Sequence, residues 1–388
     1  MRPWLPPPRP SPAVRPTQWQ PWRSATRCAT SRRGRKCCRA PRPAAYPRGA
    51  RLHSRAVSTA TATRPRVLSG MRPTGQLHVG HLLGALGNWV RMQDDYECIY
   101  MVADLHALTT GYEDVQGIRA NGTEMVADWV AAGVDPERSI IFRQSDVPQH
   151  AELAILLGMI TPLSWLERVP TYKGQIDELG EHLLTYGFLG YPLLQTADVI
   201  LYKATRVPVG QDQLPHLELS REVVRRFNHL YGPVFPEPEA IISEAPLLLG
   251  MDGRKMSKSY GNAITLASSD EEIDKQVMSM VTDPQRIKKD DPGDPEVCNV
   301  FSWQKLMGAS DAEITEIFQG CTIATLGCVA DKRNLAEKVK GLIRPIRERR
   351  EELMQDPGRL EAILEDGAER ARAIAGPVMA EATAAMGL

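Results

Sequence analysis

Short apolar runs alternate with amphipathic stretches in the first half of the chain, and this alternation constrains the fold more than any other feature. The runs Val67–Ser69, Cys98–Ala103 and Ser139–Phe142 are typical of strands, whereas His81–Val90 and Ala120–Ala132 have the periodicity of helices. Strands that alternate with helices indicate βαβ units and a parallel sheet. We therefore predict a Rossmann-like, doubly wound α/β fold whose ligands bind at the carboxyl ends of the strands.

The pattern changes after residue 262, where one predicted helix follows another. Helical periodicity recurs in Glu313–Gln319, Asp331–Arg344 and Leu360–Ala375. A chain of 388 residues is long enough for two domains. We predict a disordered basic extension over residues 1–65, an α/β domain over 66–262 and an all-helical domain over 263–388.

The extension is rich in Arg, Pro, Ala and Ser, and the first acidic residue of the chain is Asp94. Because the formal net charge is zero, the remainder is acidic, which argues against non-specific binding to nucleic acid. An Arg-rich, acid-free N-terminus is typical of an organelle transit peptide, although Pro6, Pro7 and Pro8 oppose the amphipathic helix that such a peptide needs. A start codon assigned too far upstream in GC-rich DNA explains the composition as well. Both interpretations stay open, and we slightly favour a dispensable extension.

Hydropathy and cysteine content bear on the compartment. No apolar run reaches the length of about eighteen residues that a membrane-spanning helix needs. Seven cysteines do not form a disulfide framework in a chain of this length, which indicates a reducing compartment. We expect a cytoplasmic protein, or one of the mitochondrial matrix or a plastid if residues 1–65 are a transit peptide.

Two short motifs lie far apart in the α/β region. The first, His78-Val79-Gly80-His81, follows a predicted strand and turn and opens a helix, where backbone N–H groups and the helix dipole attract phosphate. The second, Lys255-Met256-Ser257-Lys258-Ser259, is a polar loop whose two lysines suit the charge of a triphosphate during transfer. Taken singly, the first fits an ordinary strand–turn–helix and the second a solvated basic loop.

Two further patterns lie between the motifs. Gly210 and Asp212 follow a predicted strand and suit a ribose, although Asp212 is equally suited to cap a helix. Tyr191, Gln195 and Asp198 have the spacing i, i+4 and i+7 and share one face of an apolar helix. A desolvated Asp198 requires a donor such as an indole N–H or a phenol O–H. This predicts a discriminating substrate pocket, and the alternative is a structural hydrogen bond in the core.

Together these segments resemble the class I aminoacyl-tRNA synthetases, because the two motifs match the family signatures HIGH and KMSKS in the family order. Residues 207–228, 367–372 and 385–388 are more similar to the tryptophanyl enzymes of bacterial type than to the tyrosyl ones. The resemblance covers residues 66–388 and implies a class I catalytic domain, an anticodon-binding role for the helical domain and a homodimer. It implies activation of L-tryptophan by ATP with Mg²⁺, followed by transfer to the 3′ end of tRNA(Trp).

The resemblance also implies roles for individual residues. His78, His81, Lys255 and Lys258 would be catalytic, although no side chain acts as nucleophile, because the tryptophan carboxylate itself attacks the α-phosphate. The tryptophan pocket would contain Asp198, which binds the indole N–H, together with Tyr191, Gln195 and His106. The residues implied for ATP are Arg72, Pro73, Thr74, Gly80, His81, Lys173, Gly210, Gln211, Asp212, Leu248, Lys255, Met256, Ser257, Lys258 and Ser259.

Three late cysteines have a spacing that some tryptophanyl enzymes use for a [4Fe–4S] cluster. Cys298, Cys321 and Cys328 are followed by Asp331 where the fourth cysteine is expected. Four cysteines are the rule for such clusters, so we favour a degenerate, metal-free site over a labile cluster. Structural zinc is weaker still, because a Cys₃Asp ligand set is uncommon.

Three alternative functions have to be separated from the leading one. A tyrosyl enzyme shares both motifs. A non-catalytic relative that binds tryptophan or RNA has no chemical need for intact His78, His81, Lys255 and Lys258. A nucleotidyltransferase shares only the first motif and is disfavoured by the lysine loop and the helical C-terminal half.

Overall fold

The computed structural model describes residues 64–170, 172, 174, 182, 184–242 and 248–388. These residues belong to one compact unit that spans 61–388. The predicted basic extension over residues 1–65 lies outside the described residues, apart from its last two.

The centre of the fold is a parallel sheet, which in the described residues has five strands. They are β1 (Arg66–Met71), β2 (Glu97–Val102), β3 (Ser139–Arg143), β4 (Arg206–Val209) and β5 (Glu239–Ile242), in the spatial order β3-β2-β1-β4-β5. Strands β2 and β3 lie on one side of β1, and β4 and β5 lie on the other side. The boundary between β1 and β4 is therefore a topological switch point, the place where doubly wound sheets bind ligands. The predicted Rossmann-like fold is confirmed.

Helices cover both faces of this sheet. Short 3-10 turns aside, the helices among the described residues up to Tyr231 are α1 (Val79–His81), a π-helical segment (Leu82–Leu86), α2 (Gly87–Met92), α3 (Asp104–Gly111), α4 (Ile118–Ala131), α5 (Gln149–Ile160), α6 (Leu163–Glu167), α7 (Tyr186–Ile200) and α8 (Leu214–Tyr231). None of the described helices combines the length and the apolarity needed to cross a membrane.

Apolar side chains from both faces of the sheet are buried under these helices. On one face the Trp89 ring stacks on Tyr100 of β2 with centroids 4.4 Å apart, and its edge meets Trp129 of α4 at 5.0 Å. On the other face Phe142 of β3 packs with residues of α5, α7 and α8. Cys98 is buried in β2, as its apolar setting in the sequence predicts.

The C-terminal region is helical, as predicted, and comprises α9 (Asp270–Met278), α10 (Asn299–Leu306), α11 (Asp311–Thr322), α12 (Cys328–Met354) and α13 (Pro357–Met386). The last two are longer than the periodicity indicates, because they continue through Pro345 and Pro377. Both prolines and the residues four positions before them, Gly341 and Ala373, are exposed. Water can therefore reach the carbonyl groups that lose their N–H partners.

Helix α13 packs directly on β3 of the sheet. A methyl group added to Gly367 would lie 1.8 Å from the carbonyl oxygen of Ile141, so only a residue without a side chain fits there. Ala368, Ala371 and Ala375 continue this contact into the core beneath the sheet. The final helix thus completes the cover of the α/β region.

Candidate active site

A cavity of about 370 Å³ opens at the switch point of the sheet. Its walls come from the ends of three strands: Gly70 and Arg72 at β1, Ala103 and His106 at β2, and Val209 and Gly210 at β4. Helix α7 closes one side, with Tyr191, Gln195 and Asp198 all among the lining residues. The face predicted from the i, i+4, i+7 spacing therefore points into the cavity.

Asp198 is a buried carboxylate surrounded by hydrogen-bond donors. Its Oδ1 lies 2.6 Å from Nδ1 of His150 and 2.7 Å from Nε2 of Gln144, and its Oδ2 lies 2.7 Å from Nε2 of His106. Burial alone would raise its pKa, but the neighbouring imidazoles outweigh burial and lower the pKa to about 2. Asp198 is therefore ionised at neutral pH, and its Oδ2 still has acceptor capacity for a further donor.

The hydrogen bonds around Asp198 continue into the core in a defined direction. Because the carboxylate can only accept, His150 donates from Nδ1, and its Nε2 is free to accept from the hydroxyl of Tyr202 at 2.7 Å. Burial raises the pKa of that phenol, so Tyr202 keeps its proton. At the other side of the cavity, the hydroxyl of Tyr191 lies 3.1 Å from Nε2 of His216.

The first motif begins α1, and its two histidines are uncharged. Burial, with help from the charge of Lys258, lowers the pKa of His78 to about 4. Burial, with help from His78 and Lys258, lowers the pKa of His81 to about 3. Nδ1 of His81 accepts from the backbone N–H of His78 at 3.2 Å, so its proton is on Nε2. His81 can therefore donate one neutral hydrogen bond.

The second motif contacts the first directly. Nζ of Lys258 donates to the carbonyl oxygen of Thr74 at 3.0 Å. Met256 is buried, with its sulfur 3.6 Å from where a side chain on Gly80 would begin. Gly75, which follows Thr74 in the loop before the first motif, has a φ of +98°, which a residue with a side chain rarely adopts. The loop at residues 72–75 and the lysine loop therefore face each other across the opening of α1.

The other residues predicted to bind ATP lie around this opening or outside the described part. Gly210, Gln211 and Asp212 follow β4, and Gln211 and Asp212 are exposed. Asp212 does not cap α8, whose N-cap residue is Gln213 without a side-chain hydrogen bond. The remaining positions have these settings: Pro73 and Leu248 are buried, Lys255 is exposed, Ser257 is half-buried, Ser259 belongs to the turn Lys258–Tyr260, and Lys173 lies outside the described residues.

Comparison with known proteins identifies the family. Residues 60–344 match the family of tRNA synthetases class I (W and Y).

The chain belongs to this family.

Relatives agree with this placement. The tryptophan–tRNA ligase of Thermotoga maritima is 50% identical to this synthetase over 325 residues, which cover 83% of this chain and 99% of the relative. The tryptophan–tRNA ligase of Aquifex aeolicus is 43% identical over 393 residues, covering 83% of this chain and 100% of the relative. The crystal structure of tryptophanyl-tRNA synthetase from Campylobacter jejuni complexed with ADP and tryptophan has a TM-score of 0.77 and 34% identity, covering 83% and 100% of the two chains. The resemblance stated from the sequence is confirmed.

Several residues that build the site of this class I synthetase were not found from its sequence. Gln144 and His150, which hold Asp198, follow β3 and carry no motif of their own. Asn262 supports the lysine loop, because its Oδ1 accepts from the N–H of Ser257 at 2.8 Å and its Nδ2 donates to Asp252 at 2.7 Å. The only sequence signal near Gln144 is the predicted strand Ser139–Phe142, because polar residues that follow a strand of a parallel sheet lie at its ligand-binding edge.

The late cysteines of this synthetase do not form a recognisable metal site. Among the described residues, no group of three or more His, Cys, Asp or Glu side chains is arranged to hold a metal ion. Burial raises the pKa of the Cys298 and Cys321 thiols, so both are protonated at neutral pH. Asp331 accepts from Nε2 of Gln304 at 2.8 Å, and Cys321 lies 3.6 Å from Arg286. The three cysteines lie close enough that Cys328 contributes to the raised pKa of the other two thiols, but Asp331 supplies a carboxylate where a [4Fe–4S] cluster ordinarily takes its fourth thiolate.

Proposed function

We propose that this chain is a tryptophan–tRNA ligase, which joins L-tryptophan to ATP as an adenylate with release of pyrophosphate and then transfers tryptophan to the 3′ end of tRNA(Trp). One observation carries the proposal: the ionised Asp198 lines the same cavity as Arg72 and Gly210, which border the nucleotide site. An amino acid bound at Asp198 and a nucleotide bound at the two motifs would therefore meet inside one cavity. The ligases of Thermotoga maritima and Aquifex aeolicus support the same reading.

The amino-acid side of the cavity suits an indole. Oδ2 of Asp198 can accept the indole N–H beside its bond to His106, while Trp89 and Phe188 provide apolar walls. Gln195 and Tyr191 lie about one and two helical turns before Asp198, respectively, and are suited to the ammonium group. A pocket whose polar group is held in place rejects substrates that leave it unpaired.

The nucleotide side suits a triphosphate that is bound as its Mg²⁺ complex. Lys258 and Lys255 supply positive charge to the phosphates, and His81 offers an uncharged donor from Nε2 to the oxygens of the α-phosphate. Gly210 and Asp212 are suited to the ribose, and Leu248 to the adenine. Pro73, Thr74 and Gly80 bring the backbone close to the phosphates. The protein then acts by orienting the tryptophan carboxylate and by stabilising charge.

The decisive experiment is amino-acid-dependent exchange of pyrophosphate into ATP. We expect exchange with tryptophan and none with tyrosine at equal concentration. The matched control is Lys258→Ala, which should lose exchange by roughly two orders of magnitude while the fold is kept, because it removes transition-state charge stabilisation. Exchange with tyrosine alone would replace the proposal by a tyrosyl enzyme, and absence of exchange with binding of tryptophan intact would favour a regulatory relative.

Exposed apolar side chains on α5 and α6 support a proposal for the assembly. Ile155 and Met159 are 55% and 73% exposed and, four residues apart on α5, share one face of that helix, while Leu163, the first residue of α6, is 58% exposed. Apolar side chains that share one exposed surface favour an interface with another copy. We propose a homodimer through this part of the α/β region, and an anticodon-binding role for the helical region from residue 263.

The compartment is proposed from cysteine chemistry. The four cysteines of the described residues, Cys98, Cys298, Cys321 and Cys328, are free thiols. This favours the cytoplasm, with the mitochondrial matrix or a plastid as the alternative if residues 1–65 are a transit peptide. Mass spectrometry of the mature N-terminus from the native source distinguishes them: a start near Arg66 in an organelle fraction would contradict a cytoplasmic location.

A further inference from the structure

Two arginines on one helix reach the backbone behind the nucleotide site. Arg347 and Arg350 are three residues apart in α12, so their side chains leave the same face of the helix. Both are largely buried, with 15% and 11% of their side chains exposed. Neither lines the cavity, so an influence on the reaction has to act through other residues.

Arg350 reaches the first motif through a buried carboxylate. Its Nε donates to Oδ1 of Asp128 at 2.7 Å, and its Nη2 donates to Glu124 at 2.9 Å. Oδ2 of Asp128, which is 1% exposed, accepts from the backbone N–H of Leu77 at 3.2 Å. Leu77 directly precedes His78, so one guanidinium, one carboxylate and one amide connect α12 to the start of the first motif.

Arg347 reaches the segment that follows the second motif. Its Nη1 donates to the carbonyl oxygen of Ser268 at 2.7 Å, and its Nη2 donates to Asp270 at 3.0 Å. This segment is paired with the first motif by backbone hydrogen bonds: Leu266 donates to the carbonyl of Leu77 at 2.9 Å, and Val79 donates to the carbonyl of Ile264 at 2.9 Å. The two contacts from α12 therefore meet at Leu77.

We propose that Arg347 and Arg350 are positioning residues that set the two ATP-binding motifs in register with each other, an inference that rests on the proposed function. Leu77 is held on its N–H side through Arg350 and on its carbonyl side through the segment that Arg347 anchors. The loop between β1 and Leu77 carries Thr74, the carbonyl partner of Lys258, so a shift of Leu77 moves the lysine relative to the phosphates. A misplacement of about 1 Å is enough to slow transfer strongly.

The charge of Asp128 adds a second link to the same site. Burial lowers the pKa of Lys258, and the Asp128 carboxylate opposes that effect, which favours the ammonium form of the lysine. Arg350 in turn compensates the buried charge of Asp128. Lysine is not equivalent to arginine in this place, because a single ammonium cannot present the planar fork that contacts two carboxylates.

The test compares Arg347→Lys and Arg350→Lys with Arg349→Lys. Arg349 lies on the same helix, is exposed, and donates only to the carbonyl of Pro345 in its own helix at 3.0 Å among the contacts described. Tryptophan-dependent pyrophosphate exchange is measured with ATP and tryptophan varied separately, and active-site titration gives the fraction of competent enzyme. We expect kcat/KM for ATP to fall roughly tenfold or more in the first two variants, with the KM for tryptophan within twofold of wild type. Arg349→Lys should match wild type.

The alternative is that Arg347 and Arg350 only stabilise the fold. In that case the variants would have a smaller fraction of competent enzyme, but the kinetic constants per active site would be unchanged for both substrates. That result would overturn the proposal. An equal rise in the KM values for ATP and tryptophan would overturn it as well. If the arginine variants do not fold, Asp128→Asn serves in their place. Arg350 and Leu77 donate to different oxygens of Asp128, so the amide places an NH₂ group against one of these two donors. The same selective loss for ATP is expected, and its absence is contrary to the proposal. Pyrophosphate exchange by the wild-type protein with tyrosine instead of tryptophan would contradict only the proposed amino-acid substrate. The effect of the arginine variants on kcat/KM for ATP could still be measured with tyrosine.

Discussion

At the scale of single residues, Asp198 combines burial with a full negative charge. Three side-chain donors from α3, α5 and the turn after β3 hold its two oxygens. This arrangement costs no reorganisation when a substrate donor arrives, because the carboxylate is already ionised and oriented. The residue is therefore suited to select a substrate by one hydrogen bond.

Asp198→Asn tests that selection. The amide keeps the shape but replaces one acceptor by an NH₂ group that faces His106 or His150, so we expect the KM for tryptophan to rise roughly tenfold to a hundredfold. The KM for ATP should change much less. Steady-state exchange kinetics provide the measurement, with the exposed Asp95→Asn as control. Unchanged tryptophan kinetics would remove Asp198 from substrate binding.

The two histidines of the first motif give a pH prediction. Their pKa values, about 4 for His78 and about 3 for His81, lie below the ordinary value of 6.5, so the neutral forms are present throughout the range from pH 5 to 8. Protonation of either ring should lower kcat/KM for ATP only as the pH falls towards 4, because that parameter reports the free enzyme. An inflection near pH 6.5 that disappears in His78→Gln would contradict this assignment.

At the scale of secondary-structure elements, the contact between α13 and β3 leaves no room for a side chain at residue 367. Gly367→Ala places a methyl group against the backbone of Ile141, and overpacking of this kind costs about 1–3 kcal/mol or more. We expect a clear drop in the midpoint of thermal unfolding. Gly376→Ala on the same helix is the control, since no atom lies within 4 Å of its added methyl group and alanine favours a helix. Equal midpoints for the two variants would refute a close contact at Gly367.

The elements also show what could be predicted from the sequence and what could not. The positions of β1, β2 and β3 and the shared face of Tyr191, Gln195 and Asp198 follow from local sequence patterns, whereas β5 was not predicted. The partners of Asp198 do not follow from such patterns, because His150 and Gln144 are 48 and 54 residues away in the chain and meet it only after the sheet has formed. The helix predicted to end at Arg344 instead continues through Pro345, since the cost of a proline in a helix depends on whether solvent can reach the freed carbonyl.

At the scale of the whole molecule, the exposed apolar side chains of α5 and α6 bear on assembly. We expect Ile155→Asp to shift the protein from dimer to monomer, because a carboxylate in an apolar interface has no partner. Light scattering at micromolar concentration measures the shift. The control is Ile287→Asp, which changes a side chain that is 87% exposed elsewhere. A monomeric wild type would overturn the proposed homodimer.

The contacts between the helical region and the sheet connect distant parts of the chain. Arg350 of α12 pairs with Asp128 of α4, and Glu361 of α13 pairs with Arg143 of β3 at 2.6 Å. These pairs are buried or partly buried, so each partner depends on the other for compensation of its charge. The helical region and the α/β region should consequently unfold together.

The packing of α13 against β3 also has a consequence for folding during synthesis on the ribosome. Strand β3 is translated much earlier than α13, the helix that covers its apolar face. Until then the nascent polypeptide exposes an apolar surface through which it can aggregate with other incompletely folded chains. Efficient production of this protein therefore depends on how quickly α13 docks once it has been translated, and on chaperones that cover the apolar surface in the meantime.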